Sequence, residues 1–318
     1  MGLRLVRHRM PQDAEGAWSV VAGDRALPVP GSWPTTASLL ARGLEAARAA
    51  AREGAAGGGV PLAELELLSP VTHPCRVIAQ GLNYRSHLDE IGMGGTPPVV
   101  LFRKSSASIC GPRDAIVRPD LVRLLDYEIE LGLVIGQATR GPVAVDAQGL
   151  HRVVGALVVG NDVSARDVQV AEGQFYRSKS FRTFTPVGPF LFVPEPAELA
   201  RWRELRLTLR VNGDVRQDGV CGNMIHDPAR ALSEITRIED LDPGDLVLTG
   251  TPGGVALRPP PPFLQRLAAL LPEQRRLALF LRSQSGRREY LQPGNRVHAT
   301  IRTPDGAIDL GAQENLVR

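Results

Sequence analysis

The sequence predicts a β-rich α+β fold, and two observations lead to this prediction. From about residue 69 onward, short runs rich in Val, Ile, Leu and Phe are separated by Gly, Pro and Asp, a pattern typical of strands joined by turns. Helical patterns in this part of the chain are limited to 229–238 and to a stretch near 262–283. Many short strands with little helix indicate an all-β or a β-rich α+β body.

A small N-terminal domain, 1–68, is predicted to precede a main body at 69–318. Within it, residues 18–30 have the pattern of short strands joined by a Gly-Asp turn. Residues 37–59 follow as an arginine-bearing amphipathic helix that ends in glycines. Because alanine gives this helix little apolar area, we expect it to dock on the main body and not on a membrane surface.

The strands of the main body are predicted from a series of short apolar runs. In chain order these are CRVIAQGL, PVVLFRKS, YEIELGLVIG, VVGALVVGNDV, VGPFLFV, LRLTLRVNGDV, DLVLTG, NRVHATIR and GAIDLGA. The glycine-rich pieces of the sequence lack the strand, GxGxxG turn and helix that a dinucleotide site requires. The runs therefore predict sheets without a dinucleotide-binding motif.

The segment 257–291 is predicted to be an inserted helical element. Pro259 to Pro262 form a stiff extended spacer at its start. Leu267, Leu270 and Leu271 then share one face of an amphipathic pattern. Two roles stay open for this segment, namely an oligomer interface or ordinary packing on one side, and a cover over the active site on the other.

The composition argues against nucleic-acid and membrane partners. The formal net charge is only +3 over 318 residues, and the aromatic residues that could stack on bases make up 5%. No apolar run approaches the roughly 20 residues of a membrane-spanning helix. Three scattered cysteines are too few for a disulfide framework, and the first residues lack the pattern of a signal peptide. We therefore predict a cytoplasmic protein.

Lysine usage marks two positions in an arginine-rich chain. Of the 37 basic residues, only Lys104 and Lys179 are lysines. Arginine is planar and permanently charged, whereas lysine is a compact charge whose pKa shifts readily on burial. These two positions are therefore candidates for sites where a guanidinium would not serve, and we expect chemistry first at Lys179.

Two carboxylates in the run YEIEL indicate a metal site. Glu128 and Glu130 are two residues apart in a predicted strand, so their side chains point to the same side. Like charges at this range repel unless a cation lies between them, and oxygen ligands favour Mg²⁺, Mn²⁺ or Ca²⁺ over Zn²⁺. Asp162, at the end of the strand VVGALVVG, could supply a third oxygen. The alternatives are two exposed glutamates on an edge strand and an aspartate that caps the next turn.

A histidine and a carboxylate in GLNYRSHLDE suggest a general base. His87 and Glu90 are three residues apart, which brings them to one face of a helix. A carboxylate beside an imidazole raises its pKa and orients its tautomer, as a general base requires. The alternative is a surface helix turn on which the two residues are neighbours without a function.

Five motifs, in their order and spacing, resemble those of the fumarylacetoacetate hydrolase family. They are GLNYRSHLDE, LDYEIELGLVIG, NDVSARDVQ, SKSFRTFTPVGPF and LVLTGTPGGV. The similarity runs over roughly 70–256 and resumes at LQPGNRV. It implies a β-sandwich roll, usually in a homodimer, with Mg²⁺ or Mn²⁺ in the active site.

The resemblance assigns a role to each matching residue. The metal ligands would be Glu128, Glu130 and Asp162. The water-activating dyad and the active-site lysine would be His87, Glu90 and Lys179. The residues that contact the substrate would be Arg166, Gln169, Thr251, Tyr84 and Lys104.

These roles imply hydrolysis of a C–C bond in an acylpyruvate or another β-diketo acid. Activated water would attack the distal carbonyl, and the metal ion and Lys179 would stabilise the departing enolate. Because the enolate is shared by related reactions, decarboxylation, isomerisation or hydration of a 2-oxo acid stays open, as does binding without catalysis. Gln80 stands where some eukaryotic members place a further metal carboxylate, and 257–291 is longer than usual for the family. The substrate therefore stays open.

Overall fold

The structure, a computed structural model, describes residues 1–9, 16–53, 59–146, 149–260 and 270–318. Its strands are β1 (Leu3–Arg9), β2 (Ala17–Ala22), β3 (Arg25–Pro28), β4 (Val60–Pro61), β5 (Glu66–Leu68), β6 (Val77–Gly81), β7 (Val100–Lys104), β8 (Ile109–Cys110), β9 (Leu125–Asp126), β10 (Ile129–Ile135), β11 (Val154–Asn161), β12 (Ser164–Ala165), β13 (Thr185–Pro186), β14 (Leu191–Val193), β15 (Arg206–Val211), β16 (Asp214–Val220), β17 (Leu246–Leu248), β18 (Arg296–Arg302) and β19 (Asp309–Leu316).

The helices of the described residues are short. They are α1 (Thr36–Ser38), α2 (Leu44–Glu53), α3 (Arg85–Glu90), α4 (Arg166–Glu172), α5 (Tyr176–Lys179), α6 (Pro196–Leu199), α7 (Pro228–Thr236) and α8 (Glu273–Gln284). A π-helical turn, Leu39–Gly43, joins α1 to α2. No helix of these described parts is long and apolar enough to cross a membrane.

The central element is a large mixed sheet that, among the described residues, contains eleven strands. Its order is β4-β3-β2-β1-β14-β11-β10-β17-β6-β7, with β5 also paired to β1. The pairing of β17 with β6 is parallel, whereas β10 pairs antiparallel with both β11 and β17. Every residue of β10 is buried, which explains its continuous apolar sequence from Leu131 to Ile135.

A second sheet covers one face of the large sheet. It has the order β16-β15-β18-β19 in the part of the chain that the structure describes. Leu209 and Ile301 from this sheet share one buried core with Leu133 and Val159 of the large sheet. The two packed sheets form a β-sandwich with helices around it, and the prediction of a β-rich α+β fold is confirmed.

The N-terminal residues join the same large sheet. Strand β1 pairs with β14, so that Leu3 lies opposite Val193. On the face of the sheet away from the sandwich core, Leu39 and Ala47 pack with Val134. The described part of the helix predicted over 37–59, which ends at Glu53, thus docks on the main body, and residues 54–58 of the predicted range lie outside the described residues. The division into domains at residue 68 stays a prediction.

The predicted insertion is described only in part. Helix α8 covers the second half of the expected helical stretch. Gln284, near its end, donates a hydrogen bond to the carbonyl oxygen of Arg258 at 2.7 Å and accepts one from the hydroxyl of Tyr290 at 2.9 Å. Two of the predicted prolines, Pro261 and Pro262, and the leucine at 267 lie outside the described residues.

Candidate active site

Three carboxylates meet where β10 begins and β11 ends. The two strands are antiparallel with Ile129 opposite Asn161, so Glu128 and Glu130 at the start of β10 lie beside Asp162 at the end of β11. The backbone N–H of Asp162 donates to the carbonyl oxygen of Glu128 at 2.8 Å and fixes this junction. One oxygen from each carboxylate lies within 4.8 Å of the others, and all three side chains are buried.

Glu130 carries the greatest electrostatic penalty of the three. Burial, together with the charges of Asp162 and Glu128, raises its pKa well above the ordinary value for a glutamate. Its carboxylate accepts a hydrogen bond of 2.7 Å from the backbone N–H of Gly250. Within the described ranges no arginine or lysine forms an ion pair with it. A buried carboxylate between two others and without a cationic partner is the expected environment of a metal ligand.

The donor set therefore fits a hard divalent cation. Three carboxylate oxygens without histidine or cysteine are the ligands that Mg²⁺ and Mn²⁺ prefer. The predicted ligands Glu128, Glu130 and Asp162 would hold such an ion. The remaining coordination positions would stay open for water or for oxygen atoms of a substrate.

Lys179 lies beside this cluster. Its Nζ donates to Glu128 Oε2 at 2.8 Å and also to Asp162, and it is 5.4 Å from the centre of the Phe102 ring. Burial alone would lower the pKa of Lys179, but the charges of Asp162 and Glu128 outweigh that effect and raise it. The ammonium form is therefore held at neutral pH. Its position suits it to stabilise negative charge.

Lys104 holds Asp162 from the other side. Its Nζ donates to Asp162 Oδ1 and, at 2.9 Å, to the carbonyl oxygen of Phe184. Burial lowers the pKa of Lys104, and the attraction of Asp162 opposes this shift. The described contacts of Lys104 are thus with the protein itself, which favours a role in orienting Asp162. The predicted substrate contact stays untested.

Arg166 connects the carboxylate cluster to the helix that follows it. Its guanidinium donates to Glu128, to Asp126 Oδ2 at 2.8 Å and to the side-chain oxygen of Gln169 at 2.8 Å. Burial opposes the charged form, but Glu128 and Asp126 together raise the pKa of Arg166 above its usual value. Both predicted substrate-binding residues of this motif therefore lie next to the site, and they are bound to each other.

Asp126 was not among the predicted site residues. It is fully buried, and its carboxylate accepts hydrogen bonds from the backbone N–H groups of Ala256 and Leu257 at 2.8 and 3.1 Å, besides that of Arg166. A signal was present in the sequence, because Asp126, Glu128 and Glu130 occupy alternate positions of the run LDYEIE. Through Arg166, the carboxylate of Asp126 ties the start of the insertion to the carboxylate cluster.

His87 is buried on α3, and its Nδ1 has no hydrogen-bond partner among the described residues. Burial lowers the pKa of His87, while the charge of Glu128 opposes this shift. The imidazole is therefore neutral at pH 7 and can accept a proton.

Glu90 points to a different partner than expected. Its carboxylate accepts two hydrogen bonds of 2.9 Å from the N–H of Gly254 and two from the guanidinium of Arg258, at 2.9 and 3.1 Å. No hydrogen bond of the described residues joins it to His87, so the dyad stays a prediction. Nothing in the sequence indicated this contact with Arg258, which lies 168 residues after Glu90, in the insertion.

Thr251 is hydrogen-bonded within the protein, whereas the buried hydroxyl of Tyr84 has no hydrogen-bond partner among the described residues. The Thr251 hydroxyl donates to the carbonyl oxygen of Ile129 at 2.9 Å and accepts from the side-chain amide of Gln217 at 2.7 Å. Tyr84 is fully buried in the sandwich core, and burial raises the pKa of its hydroxyl well above the usual value. Their predicted substrate contacts stay predictions.

A protein-family model matches most of the chain. The model described as fumarylacetoacetate (FAA) hydrolase C-terminal matches residues 76–318, which is about three quarters of the chain. The chain belongs to the fumarylacetoacetate hydrolase family. The resemblance of the five motifs is thereby confirmed, and the enzymes of this family include hydrolases, isomerases and tautomerases.

Sequence relatives within the fumarylacetoacetate hydrolase family include a bacterial and a mammalian protein. Protein Rv2993c of Mycobacterium tuberculosis is 42% identical over 205 residues, which cover 63% of this chain and 73% of that protein. The mitochondrial oxaloacetate tautomerase Fahd2a of Rattus norvegicus is 36% identical over 209 residues, which cover 65% of each protein. The chain thus spans a little less than two thirds of the length of the rat enzyme.

Solved structures of the fumarylacetoacetate hydrolase family match nearly the whole chain. The fumarylacetoacetate hydrolase of psychrophilic Exiguobacterium antarcticum has a TM-score of 0.71 at 27% identity and covers 99% of both chains. The maleylpyruvate hydrolase of Sphingobium sp. SYK-6, in complex with manganese(II) and pyruvate, has a TM-score of 0.70 at 25% identity. That match covers 99% of this chain and 98% of the hydrolase.

Proposed function

We propose that this protein is a divalent-metal-dependent enzyme that forms the enolate of a 2-oxo acid. The observation that carries the proposal is the cluster of three buried carboxylates, Glu128, Glu130 and Asp162, whose ligand oxygens lie within 4.8 Å of one another beside Lys179. The manganese and pyruvate bound to the maleylpyruvate hydrolase support it, because pyruvate is the simplest 2-oxo acid with an enolisable carbon. The proposed ion is Mg²⁺ or Mn²⁺, with Ca²⁺ as a further candidate.

The site residues have complementary roles in this chemistry. A divalent ion bound to the three carboxylates would supply a Lewis acid that polarises the 2-oxo group. Lys179 adds a buried positive charge that stabilises the negative charge of an enolate. His87, a buried neutral imidazole, accepts the proton from the carbon next to the 2-oxo group.

The first candidate reaction is keto–enol tautomerisation of a 2-oxo diacid such as oxaloacetate. The rat relative that is named an oxaloacetate tautomerase supports it. In this reaction His87 takes the proton from carbon 3 and returns it to the oxygen of the enolate, so that no atom is gained or lost. Tautomerisation needs a single base and no activated water. His87 alone could act as this base, because Glu90 is hydrogen-bonded to Arg258 and not to His87.

The second candidate is C–C bond hydrolysis of an acylpyruvate, as the motifs imply. The maleylpyruvate hydrolase structure and the position of Glu90 one helical turn after His87 favour it. Here His87, oriented by Glu90, would take a proton from water, which adds to the distal carbonyl. The bond to the pyruvate carbon then breaks, and the enolate of pyruvate takes up a proton.

A rate comparison tests both candidates. Oxaloacetate tautomerisation and acetylpyruvate cleavage are measured with Mg²⁺, with Mn²⁺ and with EDTA, for the wild type and for His87→Asn. His151→Asn, a change of an exposed histidine on the turn Leu150–Arg152, is the matched control. We expect metal-dependent turnover that His87→Asn lowers at least 100-fold and that the control leaves unchanged.

The outcome also separates the candidates. Cleavage that is faster than tautomerisation would favour the hydrolase, and CO₂ release without cleavage would favour a decarboxylase. No metal-dependent turnover of either substrate would contradict the proposal as a whole. A homodimer and a cytoplasmic location remain our predictions for this chain, to be tested by light scattering and by microscopy of the tagged protein in its host.

A further inference from the structure

Arg258 and the backbone of Gly254 together form a binding site for a carboxylate. Two guanidinium nitrogens and one backbone N–H converge on the two oxygens of Glu90, at distances between 2.9 and 3.1 Å. Planar guanidinium groups bind carboxylates through two parallel hydrogen bonds and do so with geometric selectivity. The arrangement has the donors that recognise any carboxylate, whether it belongs to the protein or to a ligand.

The donors of this site are held in place by the protein. The Arg258 guanidinium also donates to the carbonyl oxygens of Val255 and Leu257, at 2.8 and 3.2 Å. The backbone of Leu257 is anchored in turn by Asp126, which bonds to Arg166 of the carboxylate cluster. The Arg258 side chain is 34% exposed, so that solvent reaches a site which is tied to the metal cluster.

Glu90, whose carboxylate occupies this site, has a second candidate partner in His87. Glu90 lies on α3, three residues after His87, so the two side chains share one face of the helix. His87 is buried with an unpartnered Nδ1, and a buried polar atom without a hydrogen bond is costly. If another carboxylate takes the place of Glu90 on Arg258, Glu90 is free to pair with His87, and the number of charge-assisted bonds on Arg258 is unchanged.

We propose that Arg258 and the Gly254 N–H bind the second carboxylate of a 2-oxo diacid, which displaces Glu90 and allows it to pair with His87. Arg258 is then the specificity-determining residue, and the substrate class is the 2-oxo diacids. The exchange links recognition to chemistry, because a carboxylate next to the imidazole makes it a stronger base. This inference rests on the proposed function, since it requires that the 2-oxo group binds at the carboxylate cluster.

Binding measurements with matched ligands test the proposal. The Mg²⁺-loaded protein is titrated calorimetrically with 2-oxo diacids of four and five carbons, oxaloacetate and 2-oxoglutarate, and with the monoacids of equal length, 2-oxobutyrate and 2-oxopentanoate. We expect at least one diacid to bind about 10-fold more tightly than its matched monoacid, because the exchange keeps the bonds on Arg258 and adds one charge-assisted contact, between Glu90 and His87.

Variants assign the preference to Arg258. Arg258→Gln is expected to bring the diacid-to-monoacid ratio close to one while monoacid binding changes less than twofold. Arg85→Gln is the control, because it removes an exposed positive charge from α3, the helix that carries Glu90. Arg85 donates to the carbonyl oxygen of Gly95 and not to Glu90, so the diacid-to-monoacid ratio should be unchanged. Glu90→Gln removes the internal competitor and should increase the ratio by several-fold, so one variant lowers the preference and another raises it.

Each result has a defined meaning. Monoacids that bind in a metal-dependent manner without any diacid preference would overturn this inference and leave the proposed function intact. A preference that survives in Arg258→Gln, or that falls in Glu90→Gln, would also overturn it. No metal-dependent binding of any of the four acids would overturn the proposed function itself, and this inference with it.

Discussion

Each oxygen of the Asp162 carboxylate accepts a hydrogen bond from a different lysine. Lys104 binds Oδ1 and Lys179 binds Oδ2, while Lys179 also reaches Glu128. All of these side chains are buried, and each lysine brings a single compact nitrogen to Asp162, whereas a guanidinium spreads its donors over a larger plane. This is a physical reason why the only two lysines of an arginine-rich chain occur here.

Substitution of Lys179 tests this reason. Lys179→Ala removes the positive charge, and Lys179→Arg keeps it on a larger planar group, which we expect not to reproduce the single-nitrogen contact with Glu128 and Asp162. We expect both changes to lower kcat by roughly 100-fold or more, as the loss of a group that stabilises an anionic intermediate commonly does. Steady-state rates with Mg²⁺ measure the effect, and Arg177→Lys, an exposed change two residues away, is the control. Full activity of Lys179→Arg would contradict the argument.

The contribution of Asp126 to the site can be measured as a change in the free energy of unfolding. It is the ion-pair partner of Arg166 and accepts the backbone N–H groups of Ala256 and Leu257. Asp126→Asn leaves a buried guanidinium short of one negative partner, which we expect to lower the free energy of unfolding by about 3–5 kcal/mol. Urea unfolding followed by circular dichroism measures it. Asp218→Asn, which breaks the exposed pair with Arg206, should leave the free energy of unfolding nearly unchanged, because solvent screens exposed ion pairs.

The proximity of Glu128 and Glu130 could be predicted from local spacing, whereas the partners of the site carboxylates could not. Glu128 and Glu130 are two residues apart in a strand, and this spacing alone fixes that they share a side. The bonds from Lys179 to Glu128 and from Arg258 to Glu90 join residues 51 and 168 positions apart. Such contacts depend on how strands and turns come together in space, which no short stretch of sequence encodes.

The turn after β17 brings a backbone N–H to the metal cluster. Gly250 has a φ of +90°, in the left-handed region that favours glycine, and its N–H donates to Glu130. A Cβ at this position would lie 2.7 Å from the Cβ of Asn83 and 3.0 Å from the carbonyl oxygen of Gln80. The turn therefore needs glycine both for its backbone angle and for its close packing.

A pair of glycine substitutions separates these two effects. Gly250→Ala should weaken Mn²⁺ binding roughly 10-fold or more, because the turn must shift away from Glu130. Gly294→Ala is the control, since Gly294 has a φ of +92° but a Cβ added there would have no atom within 4 Å. It should lower stability slightly and leave Mn²⁺ affinity unchanged. Equal affinity losses in the two variants, measured by titration calorimetry, would show that packing at Gly250 is not important for the metal site.

The strands were easier to predict than the helices. The apolar run around β10 is buried on both faces of the large sheet, so it needed no tertiary information to be recognised. The helix expected at 37–59 instead begins with the three residues of α1 and a π-helical turn, and α3 is only six residues long. Short helices take much of their stability from packing, which leaves a weaker pattern in the sequence.

At the level of the whole molecule, metal and fold should stabilise each other. The three proposed ligands come from the junction of two central strands, and Glu130 is buried without an ionic partner among the described residues. A cation that binds only the folded state stabilises it by about 2.7 kcal/mol when the free cation concentration is 100 times the dissociation constant. We expect EDTA to lower the melting temperature and excess Mg²⁺ or Mn²⁺ to restore it. Glu130→Gln should lose this response, and a variant that retained it would argue for another metal site.

Chain order has a consequence for how this protein must be made. Strands β10 and β11 lie between residues 129 and 161, whereas β18 and β19, which share an apolar core with them, lie at 296–316. During synthesis the N-terminal parts leave the ribosome first, so the apolar face of β10 and β11 is exposed to solvent until the final strands arrive. We therefore expect the nascent chain to be most prone to aggregation between these two events, while this apolar face is still uncovered.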